Sequence, residues 1–161
     1  MKNAQKTGCL PIIAKLLAAI GEKEETAPAM PYELRPYLLT KAEHSFYGVL
    51  KSFLPDNLQV MAKVRLADLI RVKPRSLNYA AANNKIISKH VDFVICKAAP
   101  LMPCVVIELN DKSHDKPDRV TRDHFLREAL QAANLPLVEV KAAKSYNTDD
   151  IMIEINRHLP D

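Results

Sequence analysis

The stretch that most restricts what this chain can fold into is Val105–His114, VVIELNDKSH, where three β-branched residues run directly into a carboxylate. Val105-Val106-Ile107 has the composition of a buried strand. An unpaired carboxylate is costly to bury, so Glu108 requires a cation, a metal ion or a network of hydrogen-bond donors. Strand alternation puts Val106, Glu108 and Asn110 on one face, and Val105, Ile107 and Leu109 on the other. A buried strand ending in acids is a rigid platform for a metal site. A strand that merely runs into a polar loop would read the same way, so the pattern needs a partner.

His90–Cys96, HVDFVIC, supplies one: a second short apolar run, interrupted by Asp92. Its alternation groups Val91, Phe93 and Ile95 against Asp92, Val94 and Cys96. The connection Lys97–Pro103 carries two prolines and suits a hairpin loop rather than a crossover helix. As antiparallel neighbours, the two strands set Asp92 opposite Glu108. Facing carboxylates repel unless something cationic lies between them, and a hard divalent cation is the economical candidate.

The 161 residues suffice for one domain with short extensions, and 48% hydrophobic with 26% charged residues is an ordinary globular composition. A formal charge of +4 permits an acidic partner such as nucleic acid without requiring one. Three cysteines, an odd number, fit a reducing, cytoplasmic setting better than a disulfide framework; Cys96 and Cys104, near each other in the proposed hairpin, read as small buried hydrophobes. With three glycines there is no P-loop or dinucleotide fingerprint, and no CxxC pair or HExxH motif supports zinc.

In chain order, residues 1–38 form an apolar segment followed by a proline-rich linker. The apolar part of Met1–Gly21 is too short to span a bilayer and is interrupted by Lys15. It reads as an amphipathic helix that packs on the domain, on a protein partner or at a membrane surface. The domain proper occupies residues 39–161. Thr40-Lys41-Ala42-Glu43 is a capping box, and Ala42, Phe46, Val49, Leu50 and Phe53 follow at helical spacing until Pro55. Gln59–Ile70 alternates as a strand, with Val60, Ala62, Val64 and Leu66 on one side and Lys63 and Arg65 on the other. Those two cations suit either salt bridges or phosphate contacts. Between Val72 and Ser88 the signal weakens to a helical turn at Tyr79–Ala82 and a loop at Asn83-Asn84. Asp118 caps a helix over Val120–Ala133, with Arg119, Arg122 and Asp123 in its first turns, where arginine opposes the macrodipole. Leu135–Val140 is a strand and Asp149–Leu159 a last helix, giving α-β-β-β-α-β-α around a mixed sheet.

That order, with one acid in a strand and Glu108-Leu109-Asn110 ending the next, resembles the PD-(D/E)XK nuclease superfamily. The resemblance implies a restriction-endonuclease-like α-β-β-β-α-β core, with a mixed central sheet flanked by helices. The string is closer still to the bacterial domain-of-unknown-function family 2726. The matching residues are Leu39-Thr40, Glu43, Phe46-Tyr47, Lys63–Asp68, Lys89–Phe93, Ile107–His114 and Arg122-Asp123. The likeness covers roughly Leu39 to His158. It implies metal-dependent hydrolysis of phosphodiester bonds in DNA, or in RNA. Asp92 and Glu108 match the two acids that hold Mg²⁺ (or Mn²⁺), and Glu43 matches a supporting acid on the helix. One position departs: the superfamily's lysine usually stands two residues after the second acid, where this chain has Asn110. The form Glu-x-Asn-Asp-x-x-His is similar to the mismatch-repair endonuclease branch, so His114 or Lys112 is the candidate to supply the missing function.

In this reading Asp92, Glu108, Lys112 and His114 carry catalysis, while Lys63, Arg65, Lys89, Arg119 and Arg122 hold nucleic acid, DNA before RNA. Two alternatives stand beside it. One is a non-catalytic nucleic-acid-binding module whose acids are paired to Lys89 or Arg65. The other is an accessory protein that docks to a partner or membrane through its N-terminal helix.

Overall fold

The computed structural model describes residues 30–110 and 117–159. The apolar segment Met1–Gly21 lies outside the described residues, as do Lys112 and His114. Backbone contacts divide the chain into Met1–Pro36 and Tyr37–Asp161. In the first unit, residues 30–36 carry no helix or strand.

The second unit is a mixed α/β structure. Its described elements are α1 (Lys41–Phe53), β1 (Leu58–Arg65), α2 (Leu66–Leu69), α3 (Tyr79–Ile87), β2 (His90–Lys97), β3 (Pro103–Asn110), α4 (Pro117–Ala132), β4 (Leu137–Lys141) and α5 (Thr148–Asn156). The strands lie in the order β1-β2-β3-β4. The first three are antiparallel neighbours and β4 runs parallel to β3. That parallel step needs a crossover, which α4 provides.

Two apolar layers sandwich the sheet. Phe46 and Leu50 of α1 and Ile151 and Ile155 of α5 pack with Phe93, Ile95, Val105, Ile107 and Leu109. On the other face, Ile86 of α3 and Leu126 and Leu130 of α4 pack with Val94, Cys96 and Val106. Burial from both sides explains why β2 and β3 read as near-continuous apolar runs. Cys96 and Cys104 are both buried and free, and they belong to opposite layers. Among the described residues, no helix is long and apolar enough to cross a membrane.

Local signals were reliable where the interaction is local. The Thr40 hydroxyl accepts from the Glu43 amide at 3.3 Å, and Glu43 Oε2 accepts from the Thr40 amide at 2.9 Å. Helix α1 ends at Phe53, with Leu54 as its cap before Pro55.

The structure corrects five expectations. The strand expected over Gln59–Ile70 stops at Arg65, because Leu66 turns into α2 with its side chain fully buried and its amide bonded to the Lys89 carbonyl at 2.8 Å. Alternation also fails inside β1. Lys63 has φ 55, in the left-handed region, so Val60 and Ala62 pack in the first layer while Val64 and Leu66 pack in the second. Val91 is the register partner of Val64 and goes with it, away from Phe93 and Ile95. The loop expected at Asn83-Asn84 is the middle of α3, held by buried Ile86. The low helix propensity of asparagine costs only about 0.5 kcal/mol per residue, which such burial offsets. Finally, α4 begins at Pro117 rather than after an Asp118 cap. Proline suits the first helical turn because its missing N–H would have no partner there.

Candidate active site

The register Phe93↔Ile107 makes Asp92 and Glu108 the next cross-strand pair, and the paired positions stop short of them. In place of the ladder, the two carboxylates span the gap. The Asp92 amide donates to Glu108 Oε1 at 3.1 Å, and the Leu109 amide donates to Asp92 Oδ2 at 3.1 Å. The facing arrangement expected from alternation is present, with each acid anchored on the other's strand.

Their remaining oxygens meet cations. Lys63 lies opposite Asp92, bracketed by the pairs Ala62↔Phe93 and Val64↔Val91. Its Nζ is 2.9 Å from Asp92 Oδ1 and 2.6 Å from Glu43 Oε1. The left-handed backbone at Lys63 is what turns this side chain out of the strand's regular alternation. A non-glycine residue there costs on the order of 1 kcal/mol, the kind of strain that collects at functional sites. On the far side, Arg122 Nη2 lies 3.8 Å from Glu108 Oε2 and donates to the His90 carbonyl at 3.3 Å.

The electrostatics follow from these contacts. Glu108 is only 8% exposed; burial, then the charge of Asp92, push its pKa up to about 7, against the opposing pull of Arg122 and the Asp92 amide. Burial also penalises the charged form of Glu43, but hydrogen bonds from Lys63 and Thr40 outweigh it and hold that carboxyl below its usual range. Burial lowers Lys63, while Glu43 and Asp92 more than compensate and keep its ammonium above the ordinary lysine value.

These groups line one open cleft of about 980 Å³. Asp92, Glu108, Glu43, Lys63, Lys89 and Arg122 all reach it, as do Lys41, Lys85, Thr121 and Phe125. Lys89 Nζ sits 4.8 Å from the centre of the Phe125 ring. Arg65, by contrast, is turned to Asp68 at 2.7 Å and does not line the cleft, and Lys89 contacts Phe125 and the Lys85 carbonyl rather than the acids. The Arg119 side chain lies outside the described residues. Sequence reasoning missed Phe125 and Lys85, although Phe125 is three residues after Arg122 on one helix face and Lys85 four before Lys89.

The donor set suits a hard divalent ion of the Mg²⁺ kind, which takes one or two carboxylates and fills its shell with water. Asp92 and Glu108 would be those ligands, sharing oxygens that now accept from Lys63 and from the Leu109 and Asp92 amides; Glu43 accepts from Lys63 and Thr40 and reaches Asp92 through the ammonium. Among the described residues, no group of three or more His, Cys, Asp or Glu is placed to enclose an ion. An ion held by these two acids would take the rest of its shell from water.

No curated protein and no solved structure matches the chain. A family model does, over residues 35–159, which is most of the sequence. The chain belongs to the family described as protein of unknown function (DUF2726).

Proposed function

We propose that this domain is a metal-dependent nuclease built on a restriction-endonuclease-like core, hydrolysing phosphodiester bonds in DNA or RNA. The observation that carries the reading is the Asp92–Glu108 pair in a cleft whose lining also includes four lysines and Arg122. Mg²⁺ or Mn²⁺, when bound, would supply a water of lowered pKa and positive charge for the phosphoryl oxygens. The protein's own groups do the rest. Asp92 and Glu108 hold the ion, each aimed by a backbone amide of the neighbouring strand. Lys63 orients Asp92, and the Arg122 guanidinium faces the other carboxylate from the side of α4. Lys41, Lys85 and Lys89 draw the phosphate backbone into the cleft. His114 and Lys112 remain the candidates to move a proton at the attacking or leaving oxygen.

The test is nicking of supercoiled plasmid and of labelled single strands in Mn²⁺. Wild type should cut, and Asp92→Ala and Glu108→Ala should not. Activity that survives Asp92→Ala belongs to a contaminant, and an inactive wild type sinks the reading.

One observation favours a second reading, a non-catalytic nucleic-acid-binding module. The Lys63 ammonium already bridges Glu43 and Asp92 and offsets one of their two charges, so these acids have a cation without a metal. Calorimetric titration of Mn²⁺ separates the two: binding that Glu108→Ala removes belongs to the nuclease, and no binding belongs to the module.

A further inference from the structure

A second cleft of about 620 Å³ opens beside the first, between α3 and α4, and Lys85 and Phe125 line both. Its lining includes alanines from both helices, among them Ala81, Ala82 and Ala129. Arg71, Lys73 and Lys85 are among its lining residues, and no acid is. Asn78 adds a side-chain amide, able both to donate and to accept. A cleft lined by small apolar side chains and one aromatic ring, with three cations, suits an anionic ligand that carries a planar ring. The shared wall at Phe125 means that such a ligand can be continuous with one seated over Asp92 and Glu108.

We propose that this second cleft takes an unstacked nucleobase of the strand whose phosphate lies in the first. The proposal rests on the nucleic-acid reading above and narrows it to a substrate class. A base in an intact duplex is paired and stacked and cannot enter a side cleft, whereas a bulged, mismatched or terminal base is extruded at lower cost. The preferred substrate is then nucleic acid with an unpaired base next to the contacted phosphate. The Phe125 ring can stack on any base face, the alanines leave room beside it, and Arg71, Lys73 and Lys85 hold the flanking phosphates. Sequence preference is therefore weak and structure preference strong.

The experiment uses the full chain in EDTA, so that binding is read without cleavage. Fluorescence anisotropy compares a fully paired duplex with the same duplex carrying one unpaired thymidine. Wild type should bind the second about tenfold more tightly, the scale of one base stacked on protein. Ala81→Leu narrows the cleft with a good helix former and should erase that difference. Lys73→Glu, outside the helices, should weaken binding of the unpaired-base duplex by a similar factor, which keeps the test independent of how α3 tolerates leucine. Equal wild-type affinity for both duplexes overturns the base cleft. A difference that persists in Ala81→Leu and in Lys73→Glu overturns it too. Cleavage of paired duplex without such a preference removes this inference and leaves the nuclease standing, whereas no binding to either duplex removes both.

Discussion

Lys63 and Asp92 face each other across β1 and β2 at 2.9 Å, at the one strand position of β1 whose backbone is left-handed. The ammonium bridges to Glu43 on α1, so a helix and two strands share one charge network. Removing the side chain and relaxing the backbone are separable effects. Lys63→Ala should lower stability by about 1–2 kcal/mol, discounted because the ammonium is partly exposed. Lys63→Gly loses the same ion pairs but sheds the left-handed strain, so it should be roughly 1 kcal/mol more stable than Lys63→Ala. Urea denaturation of the two variants checks the order, and the reverse order would mean that the backbone at Lys63 is not strained.

The raised pKa of Glu108 makes stability depend on pH with a definite sign. Well below its ordinary value of 4.5, the group is protonated both folded and unfolded and contributes nothing to the pH dependence. Between 4.5 and about 7 the folded protein holds the extra proton, so stability falls as pH rises, by at most about 1.4 kcal/mol per unit. Glu43 has the opposite sign, since its depressed pKa contributes stability that is lost as acid protonates it. Comparing wild type with Glu108→Gln across pH 4.5 to 8 isolates the Glu108 contribution. The difference should grow in favour of the glutamine variant as pH rises, and parallel profiles would contradict it.

Divalent-ion binding should show the same proton from the other side. If the proposed site holds the ion, it does so with ionised Glu108, so Mn²⁺ affinity should rise with pH up to about 7 and level off above, with protons released on binding. Calorimetry in buffers of different ionisation enthalpy reads that release. Binding without proton release at pH 6 would place the ion elsewhere.

Binding of duplex should weaken steeply with salt, and the slope reports individual cations. Lys89→Ala and Arg122→Ala should each reduce the magnitude of the log affinity against log salt slope by about one phosphate contact. Arg65→Ala should leave it unchanged, because that guanidinium is paired with Asp68 and lies off the cleft. An Arg65 effect equal to that of Lys89 would extend the interface beyond the cleft.

Much of this architecture could be read from the chain because its causes are short in range. The Thr40–Glu43 cap is four residues of local chemistry, and the run from Val105 to Ile107 can hardly be anything but a buried strand. The Asp92–Glu108 pairing followed from period-two alternation once the hairpin was placed. The misses have a different origin. Nothing about a lysine announces φ 55, since a left-handed position usually carries glycine or asparagine, so the reversal at Lys63 and the layer of Val64 and Val91 stayed hidden. Helix α3 exists because Ile86 is buried by other elements, a tertiary effect that overrides the weak propensity of Asn83 and Asn84. The joint between the two clefts at Phe125 depends on where α4 crosses the sheet, which no local pattern encodes.

The two carboxylates that replace the missing rungs between β2 and β3 also make the sheet a recorder of its own site. Each holds an amide hydrogen of the strand opposite, that of Asp92 or that of Leu109, which would otherwise exchange with solvent. Anything that draws an acid outward lets go of one such hydrogen, and anything that clamps the acids guards both. Occupancy of the cleft can therefore be followed as the exchange of two named backbone protons, without a substrate, a label or a turnover.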